Sequence, residues 1–200
     1  MKRIYGAKIN CELIRDFLMS FGDMRRVEKN GEIDKKFIKR IMLAVTNVNG
    51  CALCSWFHTQ EALKLGMPEE EISQLLDGEM TDVPKDEAVA LVFAQHYADT
   101  RGHVDSEAWR HVIRTYGISK ALGIRAAVCM IMAGNAQGNI WGAFASRLKG
   151  KPEPGSSLSK ELGVLVCDIF AVPFMFIWAG FVSLIKNITP ARASVNNGIR

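Results

Sequence analysis

The stretch Asn49-Gly50-Cys51-Ala52-Leu53-Cys54-Ser55-Trp56-Phe57-His58 gathers two of the five cysteines and one of the four histidines of this chain. On a helix, thiols three positions apart can close a disulfide across one turn. A histidine four positions after Cys54 falls on the same face as that thiol. The spacing Cys-x-x-Cys-x-x-x-His therefore points to thiol redox chemistry, with a base close by. The thiolate is the nucleophile in such chemistry, and a thiol of pKa about 8.5 is only roughly 3% ionised at pH 7. A drop of about two units makes most of it reactive. A helix start could supply that drop for Cys51, and His58 could supply it for Cys54.

The flanking residues predict the helices that would position this motif. Phe37, Ile41, Ala44, Val45 and Val48 recur at helical spacing before it. Asn49-Gly50 then reads as a break. After the break, Cys54, His58, Ala62 and Leu65 step along one face, Gly66 is a stop, and Pro68 opens the next helix. Cys51 is thus expected in a first turn, where free backbone N–H groups and the macrodipole favour a thiolate.

With those residues in place, Val48-Asn49-Gly50-Cys51-x-x-Cys54-x-x-x-His58-Thr59-x-x-Ala62-x-x-x-Gly66 resembles the core signature of the AhpD-like alkylhydroperoxidase family, also called the carboxymuconolactone decarboxylase family. The similarity covers residues 33 to 150. It implies an all-α, AhpD-like helical bundle and a homo-oligomer, a trimer or hexamer. It also implies a thiol-dependent peroxidase that cycles between dithiol and disulfide, with a hydroperoxide as substrate and an external dithiol as reductant. By the resemblance, Cys54 attacks the peroxide, Cys51 resolves, and His58 belongs to the proton relay, accepting the Cys54 proton. Decarboxylating members of the family generally lack the cysteine pair. The sequence departs from the pattern twice. Lys39 stands where the family has a glutamate twelve positions before the first cysteine, and Leu53 stands where some members have a histidine. Glu61, three positions after His58, is the expected substitute for the missing carboxylate.

Two other readings compete with the peroxidase. One is a helical oligomer carrying a relic or regulatory dithiol, a reading that Lys39 and Leu53 keep open. The other is a zinc site using Cys51, Cys54 and His58, with Cys129, Cys167 or a distant histidine as fourth ligand. No strand-rich pattern flanks the motif, which argues against a thioredoxin fold. No cofactor is expected.

Composition bounds the rest. Two hundred residues with 48% apolar content suit one domain with an extension, and a net charge of +4 spread among acidic residues gives no nucleic-acid stripe. Residues 1 to 20 lack an apolar signal core, so a cytoplasmic location is expected, where a Cys-x-x-Cys pair reads as catalytic or metal-binding. The expected domains are a helical domain over 1–150, a linker over 151–160 rich in Pro, Gly and Ser, and a hydrophobic helical extension over 161–200. A short helix is expected around Cys11 to Ser20, with Ile14, Phe17, Leu18 and Phe21 on its apolar face. Further helices are expected over 68–77, over 84–97, from Asp105 to near Gly117, and from Ser119 to Leu148. Cys11 has no partner in sequence and reads as an isolated thiol. His96, His103 and His111 form no ligand pair; His96 alone is placed to approach the motif. Asn135 and Asn139 read as structural hydrogen bonders near the dithiol. The apolar run Leu162–Ile185 is long enough to span a bilayer. Asp168 and Pro173 count against that, so a pair of buried helices broken at Pro173 is preferred to membrane contact through 162–185.

Overall fold

Seven helices and no strand make up the described part of the chain, an all-α fold. The computed structural model describes the backbone of residues 2–188. Within 171–188 it describes the surroundings of Pro173, Phe174 and Ile177 alone. The helices are α1 (Ala7–Lys29), α2 (Lys35–Asn49), α3 (Ala52–Lys64), α4 (Glu69–Asp77), α5 (Ala88–Asp99), α6 (Ser106–Leu148) and α7 (Leu158–Ile188).

Local chemistry starts and stops them where the sequence suggests. The Asp34 carboxylate accepts from Phe37 N–H at 2.8 Å, and Asp105 accepts from Glu107 and Ala108 N–H, so both side chains satisfy orphan donors of a first turn. Glu69, Glu70 and Glu71 open α4, where acidic groups complement the helix dipole. α6 is interrupted at Gly117, whose φ of 74° and ψ of 160° are not helical, as the two expected helices require.

The second half of α6 is the central element, and α1, α2, α3, α5 and α7 all pack on α6. Its small residues make this close approach feasible. A Cβ at Gly123 would meet the Val27 methyls at 2.6 Å, so α1 crosses α6 almost backbone to side chain there. Ile41, Leu43 and Val45 of α2, Leu91 of α5, and Ile124, Val128 and Met132 of α6 are fully buried between these helices.

The core also holds a charged group. Arg40 of α2 donates to Glu71 at 2.5 Å and to both oxygens of Glu87 at 2.9 and 3.1 Å, and all three residues are buried. Fully paired, this triad fastens α4 and the start of α5 to α2. Broken, it would leave charge stranded away from water. Burial pushes the Glu87 carboxyl upward, and Arg40 opposes that shift.

Several boundaries differ from the expected ones. α1 runs over Ala7–Lys29, well beyond Cys11–Ser20, because Leu13, Met24 and Val27 give it a second, core-facing stripe. Ile14, Phe17 and Leu18 line a cavity instead, and Phe21 is exposed. α5 begins at Ala88 rather than Pro84, after a turn in which Glu87 reaches Arg40. α7 begins at Leu158, inside the expected linker, where Glu161 is buried against Arg147 (2.7 and 2.9 Å) and Ser156 (2.8 Å). α7 continues through Pro173 as one helix, so the expected break there is absent. Nor is it a buried pair in the single chain: Leu162, Val166, Ile169, Phe170, Phe174 and Ile177 are exposed. Residues 189–200 of the expected extension lie outside the described residues.

Candidate active site

Two residues separate α2 from α3, and they aim the motif. Gly50 closes α2 in the left-handed region (φ 63°, ψ 38°), a conformation cheap only without a Cβ, and its N–H returns to Thr46 and Asn47 carbonyls. Cys51 follows as the N-cap of α3, with its backbone extended. The preceding Asn49 is buried and held from three sides. Tyr5 Oη donates to its side-chain oxygen at 2.9 Å, and Asn139 Nδ2 and Arg3 N donate to its carbonyl at 2.9 and 3.0 Å. Asn139 also reaches the Arg3 carbonyl at 3.0 Å. The turn carrying Cys51 is thereby tied to both α6 and the N-terminal segment. Asn135 is a structural hydrogen bonder too, accepting from Thr46 Oγ1 at 3.2 Å.

The two sulfurs converge on α6. Cys51 Sγ accepts from Cys54 N–H at 3.3 Å, taking the place of the usual capping oxygen. Cys54 Sγ faces the Gly134 carbonyl at 3.7 Å. A Cβ placed at Gly138 would lie 2.7 Å from Cys51 Sγ and 3.2 Å from Cys54 Sγ, so both sulfurs occupy the space that a side chain would fill. Both thiols are free.

Their environments split their acidities. The adjacent Cys54 side chain favours the Cys51 thiolate, and the backbone N–H groups of Cys54 and Leu53 and the charge of Lys2 act in the same sense. Together they bring Cys51 down to about 7 against the cost of burial. Cys54 is pushed up by its hydrogen bond to Cys51 and by burial. The more acidic thiol of the pair is Cys51, although the residue is 1% exposed; Cys54 is the half-buried one.

The imidazole turns the other way. His58 Nδ1 lies 3.4 Å from Lys39 Nζ on α2, and among the described residues no hydrogen bond joins the ring to either sulfur. Burial and the Lys39 charge bring His58 down to about 4, so it is neutral at pH 7. An ammonium can only donate, so Nδ1 accepts and the ring proton sits on Nε2. Burial also lowers Lys39. Lys39 thus turns toward His58 and is half-buried. Glu61 does not orient the ring by contact, because its carboxylate pairs with Lys64 at 3.0 Å on the surface. Among the described residues, no three His, Cys, Asp or Glu side chains are grouped to hold a metal ion, so Cys51, Cys54 and His58 do not form the expected three-ligand set. His96 faces Asp105 at 3.4 Å.

An apolar cavity of about 510 Å³ lies among α1, α6 and α7, lined by Ile14, Phe17, Leu18, Met130, Ala133 and Trp141, with Gln137 and Asp168 at its polar edge. Gly134 belongs both to this wall and to the surroundings of Cys54. Beside the motif, Leu53, Trp56 and Phe57 stand exposed on α3.

Sequence reasoning missed Gly138, Lys2, Asn49 and the cavity. One signal was present for the first: Gly134, Gly138 and Gly142 recur every fourth residue, marking a side-chain-free strip along α6. A Cβ at Gly142 would lie 3.5 Å from Lys2 Nζ, so this strip also admits the cation that acts on Cys51.

Residues 15–95 match the model of the carboxymuconolactone decarboxylase family. An uncharacterized protein of Bacillus subtilis (strain 168), YdfG, is 29% identical over 126 residues, covering 52% of this chain and 86% of the relative. No solved structure matches the chain. The matched stretch takes in most of α1 and all of α2, α3 and the dithiol turn between them, and over it the chain is similar to the carboxymuconolactone decarboxylase family.

Proposed function

We propose that the protein is a thiol-dependent peroxidase, reducing apolar hydroperoxides through a Cys51–Cys54 dithiol/disulfide cycle. The observation that carries this reading is the convergence of both sulfurs on Gly138, with Cys51 at a helix N-cap. Cys54 is the more accessible sulfur, and its carbonyl neighbour Gly134 forms part of the cavity wall, so the cavity suits an alkyl tail.

The proton logic departs from the relay that the resemblance implies. His58 holds its proton on Nε2, which leaves Cys51 as the base available to Cys54. The Cys51 thiolate takes the Cys54 proton, and Cys54 attacks the distal peroxide oxygen. The O–O bond breaks, a sulfenic acid forms on Cys54, and the alkoxide leaves, recovering the proton from Cys51 as an alcohol. Cys51 then attacks the sulfenic sulfur and expels hydroxide, closing the disulfide. Two electrons pass from sulfur to peroxide, and an external dithiol restores the pair by exchange. A second copy of the chain covering Leu53, Trp56 and Phe57 would complete the site as a homo-oligomer.

The test is consumption of cumene hydroperoxide in the presence of dithiothreitol, with mass analysis of a separate sample exposed to the hydroperoxide without reductant. The expected result is turnover with formation of a Cys51–Cys54 disulfide. Equal background rates for wild type and Cys54→Ser would end the proposal. A second reading, the relic dithiol, draws on Lys39: a cation beside His58 is the reverse of the family's carboxylate.

A further inference from the structure

We infer that Cys11 and Cys167 form a second dithiol, which closes to an intrachain disulfide joining α1 to α7. Their sulfurs lie 2.8 Å apart although 156 positions separate them in sequence, closer than two unbonded sulfurs ordinarily rest. The neighbouring residues fix the two helices in that register. Asn10 donates to Asp168 at 2.8 Å, and Gln137 of α6 donates to Asn10 at 3.1 Å and to Asp168 at 3.3 Å. The pair therefore sits within a three-helix polar clasp rather than in a chance surface contact. Both cysteines are partly exposed, so a small reagent can reach them. Neither takes part in the chemistry proposed for Cys51 and Cys54, and the inference stands without that chemistry.

The oxidant is a small-molecule disulfide. One protein thiolate attacks it, forming a mixed disulfide and releasing one thiolate of the reagent. The second cysteine gives up its proton and displaces the other half. The protein loses two electrons and two protons, and the reagent becomes two thiols. Burial and the adjacent Cys167 push the Cys11 thiol up to about 12, so closure is expected to be slow at neutral pH and to speed up as pH rises. The product is a covalent tie between α1 and the apolar α7, across the linker around Pro152–Gly155.

The experiment uses the full chain treated with glutathione disulfide, then alkylated, cut with trypsin and mapped by mass spectrometry without reductant. A Cys11 peptide joined to a Cys167 peptide is expected, released by reductant and absent from Cys11→Ser. In the full-length Cys51→Ser/Cys54→Ser variant, which retains three of the five cysteines, titration under denaturing conditions should fall from three thiols to one. Recovery of Cys11 and Cys167 as separate alkylated or glutathionylated peptides overturns the inference. So does a link formed only between two chains, detected by mixing isotope-labelled and unlabelled protein. The wild-type map decides the question even if a variant fails to fold.

Discussion

Two cysteine pairs meet in this fold, and they differ in everything except proximity. Cys51 and Cys54 are neighbours in sequence, at the first turn of α3, and face a strip of glycine. Cys11 and Cys167 lie within α1 and α7, a chain length apart, held by the side chains of Asn10, Gln137 and Asp168. The Cys54 side chain, free N–H groups and Lys2 draw Cys51 toward a thiolate, whereas burial and the adjacent Cys167 keep Cys11 protonated. Thiol reactivity thus follows from position along a helix, and nearness of two sulfurs alone does not confer it.

The comparison can be broken most directly by pH. Only the thiolate alkylates, so the rate at Cys51 in folded protein should rise through a midpoint near 7, and that at Cys11 near 12. Access scales each rate without moving its midpoint, and mass-resolved alkylation reads both in one sample. Coincident midpoints would erase the distinction. Next in size, Cys54→Ser should bring hydroperoxide turnover to background while leaving Cys11–Cys167 closure intact, as measured by peptide mapping. Arg40→Ala should act on both pairs equally through the fold, costing about 3–5 kcal/mol because Glu71 and Glu87 keep buried charge without a partner. Urea unfolding measures it. A cost under 1 kcal/mol would mean the triad is not buried as described.

Gly138→Ala separates the pairs more finely. Helix propensity alone would favour alanine by roughly 0.5–1 kcal/mol. The new Cβ would stand 2.7 Å from Cys51 Sγ, and crowding of that kind costs about 1–3 kcal/mol, so the net effect is expected to be destabilising. Disulfide formation at Cys51–Cys54 should slow, while Cys11–Cys167 is untouched. The smallest effect is expected from Lys39→Glu. Removing the cation and adding an anion raises the His58 pKa above its present value of about 4, which an NMR titration would register as a midpoint moved to higher pH. If peroxidase turnover rises with it, the family's relay has been restored. If turnover stays constant, Cys51 alone serves as the base.

Much of this frame was legible in the residues. Periodicity marked α2, Asn49-Gly50 marked the break, and Gly66 and Pro68 marked the end of α3, because these features act over one or two turns. What escaped depended on contacts across the chain. Nothing near Cys11 in sequence indicates Cys167, and nothing near Lys39 shows that its ammonium turns in toward His58. Arg40, placed within a helical run, has the composition of a solvated residue until two acids from later segments close over it. Pro173 misled for a related reason. Proline disfavours a helix interior locally, yet α7 runs through it.

The sulfur cap of α3 links its folding to its oxidation. While Cys51 is a thiolate, it accepts the Cys54 N–H and holds the first turn closed. Disulfide formation removes the charge of that acceptor, so the oxidised helix is expected to begin with a weaker cap. Full loss of a cap costs about 1 kcal/mol, which for a two-electron couple bounds the shift at roughly 20 mV toward a more oxidising pair. The start of α3 therefore favours the form that carries electrons, and the Trp56-bearing turn beside it would loosen whenever those electrons are spent.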